Sequence, residues 1–152
     1  MKITIAKALK LKNRIQSRIR ALSNDMAAYN SRLAGSGSEV NVLTSLDEYD
    51  RLVGSLVQLK AKIFASNAPV YEKILRLAEA KSKIKVLRSF DTQHGKVADR
   101  YSSIEPLEYY AQLRKSDIDT KCRTLEGTID QLQEELDSHN HTTFIEIDSI
   151  DE

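Results

Sequence analysis

The run ITIAKALKLKNRIQSRIRALSNDMAAYNSRL, residues 3–33, decides the fold class of this chain. Ile5, Ala8, Lys12, Ile15, Ile19, Leu22, Met26, Tyr29 and Leu33 recur in steps of three and four. That spacing holds an apolar stripe in line along a helix slightly under-wound to a period of about 3.5. Lys12 is the charged member of the stripe. A charge at such a position can fix register or partner number at some cost in stability. A lysine near a frayed helix end can also lay its stem on the stripe and keep its ammonium in water, and this is the reading adopted.

Outward from this run the pattern repeats. AGSGSE (Ala34–Glu39) breaks the first stripe, and its small residues make a flexible loop. Ser45 then offers a cap for a second helix, with Glu48 three residues on as the return half of a capping box. Tyr49, Leu52, Leu56, Leu59 and Ile63 carry the next heptad. Val53, Val57 and Phe64 widen it, which predicts a helix touching two neighbours. SNAP (Ser66–Pro69) marks a kink or a tight join, because proline disfavours helix in the residue before it. A third helix follows through Val70, Ile74, Leu77, Ala78, Ile84 and Leu87. The long connection Asp91–Pro106 turns at His94-Gly95. Leu107, Tyr109, Ala111 and Leu113 alternate with mostly polar neighbours, the period of a strand. Ser116 is read as the cap of a last helix on Ile118, Cys122, Leu125, Ile129, Leu132 and Leu136. TTFIEI (Thr142–Ile147) has the β-branched alternation of a second strand, a ribbon partner for 107–113.

Composition agrees with helices. Of the residues 30% are charged and 6% aromatic, with no tryptophan, five glycines and two prolines, a poor basis for a sheet sandwich. The single cysteine, Cys122, rules out an internal disulfide. No apolar run approaches the roughly 20 residues that cross a bilayer, and no signal peptide is visible, so a cytoplasmic protein is expected. The net charge of +1 hides a segregation. Lys2, Lys7, Lys10, Lys12, Arg14, Arg18 and Arg20 precede the first acid, Asp25. From Asp117 onward acids dominate, relieved by Lys121 and Arg123 alone. A second basic stretch holds Lys73, Arg76, Lys81, Lys83, Lys85 and Arg88. Opposed segments of this kind serve polyanion binding or pair with each other. Pairing of the basic first helix with the acidic last one is the expectation.

The order of features resembles a small bacterial family of helical proteins that carries the name septicolysin and is otherwise of unknown function. The likeness lies in AKALKLKNRIQSRIRAL (Ala6–Leu22), FASNA (Phe64–Ala68), RYS (Arg100–Ser102) and LDSHNHTT (Leu136–Thr143). It implies a helical fold and a cytoplasmic bacterial origin more than an activity. The family tends to continue RYS with basic residues, where this chain has Ser103, Ile104, Glu105 and Pro106. It also tends to have tryptophan where His141 stands.

Motifs for chemistry are sparse. His139 and His141 would share a side of an extended segment and are the weak metal candidates, but zinc needs three or four ligands. A helix end is the preferred reading, with histidines facing the last carbonyls and Asn140 as a left-handed cap. Cys122 falls on a seam and reads as a small buried hydrophobe. The chain lacks GxSxG, a phosphate loop, GxGxxG and HExxH, so neither enzyme activity nor a cofactor is expected. Tyr101, Tyr109 and Tyr110 beside Arg100 and Arg114 could stack bases; packing of the ribbon is preferred.

The resulting expectation is an all-α protein, a single helical domain over 1–152. It has three to four long antiparallel helices near 4–34, 45–66, 69–90 and 116–138, partly coiled coil. A small two-stranded β element joins 107–113 to 142–147. The function is an interaction or scaffold role with self-association, as a homodimer or higher homo-oligomer. The seam would run through Ile15, Ile19, Leu22, Met26, Ile118, Cys122, Leu125, Ile129, Leu132 and Leu136. A nucleic-acid-binding module is the alternative, with a basic face of Lys10, Arg14, Arg18, Lys81, Lys85 and Arg88. A membrane-surface or lytic protein ranks third.

Overall fold

A computed structural model of the chain describes residues 1–37, 40–97 and 106–148, the Val97 side chain excepted. In chain order the elements are β1 (Lys2–Thr4), α1 (Ile5–Tyr29), α2 (Val42–Ser66), a 3-10 turn (Ala68–Val70), α3 (Tyr71–Arg88), β2 (Gly95–Val97), β3 (Leu107–Tyr109), α4 (Lys115–Thr142) and β4 (Phe144–Glu146). Among the described residues four helices and small antiparallel ribbons match the expected all-α class with a minor β element. The chain divides into two compact units, Met1–Val70 with Asp137 onward, and Tyr71–Leu136.

In the first unit α1 and α2 form an antiparallel hairpin. Thr4 caps α1 by accepting from the Lys7 amide at 3.3 Å. The α1 heptad does what its spacing requires: Ile5, Ala8, Ile15 and Leu22 are buried against Leu52, Leu59 and Ile63 of α2. Burying a side chain of this size contributes about 1.5–3 kcal/mol, so this seam is the main cohesion of the unit. Lys12 lies well inside α1 and half-buried, away from the helix end where it was expected. The helix stops at Tyr29, before Leu33, which is exposed. A turn follows in which the Ser36 amide donates to the Leu33 carbonyl at 3.1 Å. Gly35 sits at its third position with φ +84°, a conformation glycine adopts without a side-chain clash.

The start of α2 differs from the expected cap. Asn41, not Ser45, closes it, its Oδ1 accepting from the Leu43 and Thr44 amides at 3.1 and 3.3 Å. Asparagine is at least as good a cap as serine, and here it begins the helix a turn earlier. At the far end Asn67 caps α2, and Pro69 lies in the short 3-10 turn. SNAP is therefore a join between helices, as one of its two readings had it.

The ribbon pairing is the main correction. β4 pairs with β1, in the register Lys2↔Glu146, Ile3↔Ile145 and Thr4↔Phe144, instead of with 107–113. Bonds from the Ile5 amide to the Thr143 carbonyl and from the Ile147 amide to the Met1 carbonyl extend it. Ile3, Ile145 and Ile147 then complete the α1–α2 core. Leu107–Tyr109 pairs instead with Gly95–Val97, the nearest strand in sequence. His94-Gly95 was expected as a turn; instead Gly95, at φ +90°, is the first residue of β2.

In the second unit α3 and the 115–136 part of α4 run antiparallel, with Ile84, Leu87, Ile118 and Cys122 as their core. Glu72 in the first turn of α3 and Lys85 and Arg88 in the last complement the helix dipole. Asp117, not Ser116, supports the start of α4, its Oδ2 accepting from the Arg114 amide at 2.9 Å. The helix runs on to Thr142, so Asn140 is helical and not a left-handed cap.

Candidate functional site

The seam residues read from the sequence are turned inward. Ile15, Leu22, Ile118, Cys122 and Leu136 are buried within the chain itself. Ile19 and Met26 pack on the first core, and Leu125 and Ile129 on the second. Leu132 lines a hollow described below. A 3.5 period says that a stripe needs a partner helix; it does not say whether that helix comes from the same chain. Here α2 serves α1 and α4 serves α3, so these residues form intramolecular seams.

A different stripe is left outside. Along α2, Leu43, Leu46, Asp50, Val53, Val57, Lys60 and Phe64 recur in alternating steps of three and four, to one side of the face that packs on α1. Leu43 is 75% exposed, Leu46 44%, Val57 61% and Phe64 67%, and Val53 is half-buried. The sequence had flagged Val53, Val57 and Phe64 as widening the stripe. Leu43 precedes the helix start expected at Ser45, and Leu46, though inside that helix, was not assigned to this stripe. Among the described residues Asp50 and Lys60, the charged members, form no ion pair. Exposed large apolar residues arranged in a line carry more meaning than the same number scattered.

The residues read as a basic face are divided between the two units, Lys10, Arg14 and Arg18 in the first and Lys81, Lys85 and Arg88 in the second. Lys10, Arg14 and Arg18 follow at intervals of four along α1. Arg18 is held by Glu48 of α2, with its Nε donating to Oε1 at 2.9 Å. This hydrogen bond, with the charge of Glu48 behind it, raises the guanidinium further above its ordinary value. Lys81, Lys85 and Arg88 share a side of α3, where Arg88 pairs with Glu126 at 2.8 Å. Lys73 pairs with Glu135, which drives the Glu135 carboxyl below its usual range through the hydrogen bond first and the charge second. Glu126 and Glu135 of the last helix thus pair with Arg88 and Lys73 of α3, and Arg18 of α1 pairs with Glu48 of α2. The sign of each segment was legible; the choice of partner follows from which helices form hairpins.

His139 and His141 stand in the last turn of α4, where positions two apart point to different sides. The ring Nδ1 of His141 lies 2.7 Å from the Asp137 carbonyl, and that of His139 lies 3.2 Å from the Thr143 hydroxyl. Among the described residues no three histidine, cysteine or acidic side chains gather as a ligand set. The second unit has an open hollow of about 360 Å³, lined by Glu72, Lys73, Arg76, Thr128, Gln131, Leu132 and Glu135. Its charges are matched within it, Arg76 to Glu72 and Lys73 to Glu135. No nucleophile with an adjacent base lines it. Tyr110, 81% exposed, tilts against the His94 ring at 5.6 Å between centroids. His94 Nδ1 accepts from the Ala111 amide at 3.2 Å, tying the two sides of the β2–β3 ribbon together. Arg100 and Tyr101 lie outside the described residues. Among the described helices none is long and apolar enough to cross a membrane.

No known protein family, curated protein or solved structure matches the chain.

Proposed function

We propose that this chain is a helical interaction protein that self-associates, without catalytic activity of its own. The observation that carries the reading is the outer stripe of α2, a second heptad face exposed on a helix whose first face is already filled. A stripe of period 3.5 is shaped to receive another helix, more than a flat membrane or a small molecule. A cytoplasmic bacterial setting, implied by the likeness to septicolysin, belongs to the same proposal. Nucleic-acid binding by the basic residues of α1 or of α3 is the second reading, supported by the exposure of Lys10 in the first unit and of Lys81 and Lys85 in the second. Arg18 and Arg88 are engaged by carboxylates and would have to exchange them for phosphate. Light scattering of nuclease-treated protein at micromolar concentration tests the proposal. A dimer or larger species is expected. A monomeric mass that rises only when nucleic acid is present would favour the second reading.

A further inference from the structure

The outer stripe of α2 offers a surface for which the occupant can be chosen by charge. Its exposed apolar members sit at both ends and in the middle. Its two charged members, Asp50 and Lys60, have opposite signs and lie at equal distances on either side of Ser55. Four of the five apolar members share that symmetry: Val53 mirrors Val57 and Leu46 mirrors Phe64, while Leu43 falls opposite Asn67.

We propose that α2 pairs with α2 of a second copy of this chain, antiparallel, about a two-fold axis level with Ser55. The inference rests on the self-association reading and names its surface, partner and register. An isologous contact requires the same patch on both subunits to be self-complementary. About this axis Leu46 meets Phe64, Val53 meets Val57, and Asp50 meets Lys60, each twice. Every layer then joins the two kinds of heptad position, as antiparallel helices demand. The alternatives are worse on the same residues. A parallel pair sets Asp50 against Asp50 and Lys60 against Lys60. Sliding the antiparallel pair by one heptad sets Asp50 against Val53 or Asn67 and leaves Lys60 without a carboxylate. Like charges brought together at a partly desolvated seam oppose association, so charge selects one register among those the apolar residues permit.

The test is a charge exchange read by sedimentation equilibrium, with helix content followed by circular dichroism. The wild-type chain is expected to dimerise. Asp50→Lys and Lys60→Asp each turn two attractive contacts into repulsive ones and should weaken the dimer by about tenfold or more. Both positions are on the surface, so helix content should not change. The double variant Asp50→Lys, Lys60→Asp restores opposite signs in the antiparallel register and should return to within about threefold of wild type. In a parallel dimer the double variant would gain nothing over the wild type, and the single ones would lose little. A dimeric wild type whose single variants are unaffected, or whose double variant stays as weak as the single ones, overturns the register while leaving self-association standing. A monomeric wild type overturns both, before any variant is made.

Discussion

Ile3 and Ile145 face each other across the β1–β4 pair and are both buried, 9% and 5% exposed, on the α1–α2 core. The ribbon is therefore part of the hydrophobic core. A two-stranded ribbon alone is marginal in water, and docking on the hairpin is what makes this one stable.

Ile145→Ala should cost about 2–4 kcal/mol in urea unfolding of the whole chain, because it removes a buried side chain and leaves a space that the short ribbon cannot close. The exposed neighbour Phe144, 53% exposed with Lys2 at 5.3 Å from its ring centre, should cost well under half as much on replacement by alanine. Equal losses at the two positions would mean that β4 is not seated as described.

The Lys73–Glu135 pair makes a prediction about pH. Glu135 has its carboxyl lowered in the folded chain. A depressed folded value means that the pair stabilises above the ordinary carboxylate range and ceases to do so as the pH falls through the lowered value. Carbon-13 titration of the Glu135 carboxyl should show a midpoint below that of an ordinary glutamate. Lys73→Met should move the midpoint up toward the ordinary value. An unchanged midpoint in that variant would show that the pair is not formed in solution.

Zinc should leave the melting temperature of the chain where it is. His139 and His141 project to different sides of α4, and the ring Nδ1 of each lies against the helix end. His139→Asn with His141→Asn should bind no less zinc than the parent. A stoichiometric zinc ion in the parent, absent from the double variant, would overturn this assignment.

The helices were legible because heptad spacing is a local property, written at every third and fourth residue. Their ends were less so. Asn41 and Ser45 are both good caps, and the one that wins is set by where the preceding turn delivers the chain. Pairing partners were the least legible. Ile3 stands just before the first helix expected near 4–34, and the three residues of β1 are too few to show a period of two. Nothing local links it to Ile145. The inward seams were correct as stripes but ambiguous as to partner, since Leu22 would look the same against α2 or against another subunit. The outer stripe of α2 could be read from Val53, Val57 and Phe64, but its first member, Leu43, lay before the helix start expected at Ser45.

The β1–β4 pairing also sets a folding order. Ile3 and Ile145 are about 140 residues apart in the chain, so the contact between them closes a very long loop. Closing such a loop is slow relative to forming a hairpin of adjacent helices. Both hairpins can assemble during synthesis, while the first keeps an apolar end uncovered until Phe144–Asp148 emerges. For that interval the nascent chain exposes Ile3 and Ile5 with an unpaired strand edge beside them, a hazard that passes when the last strand docks.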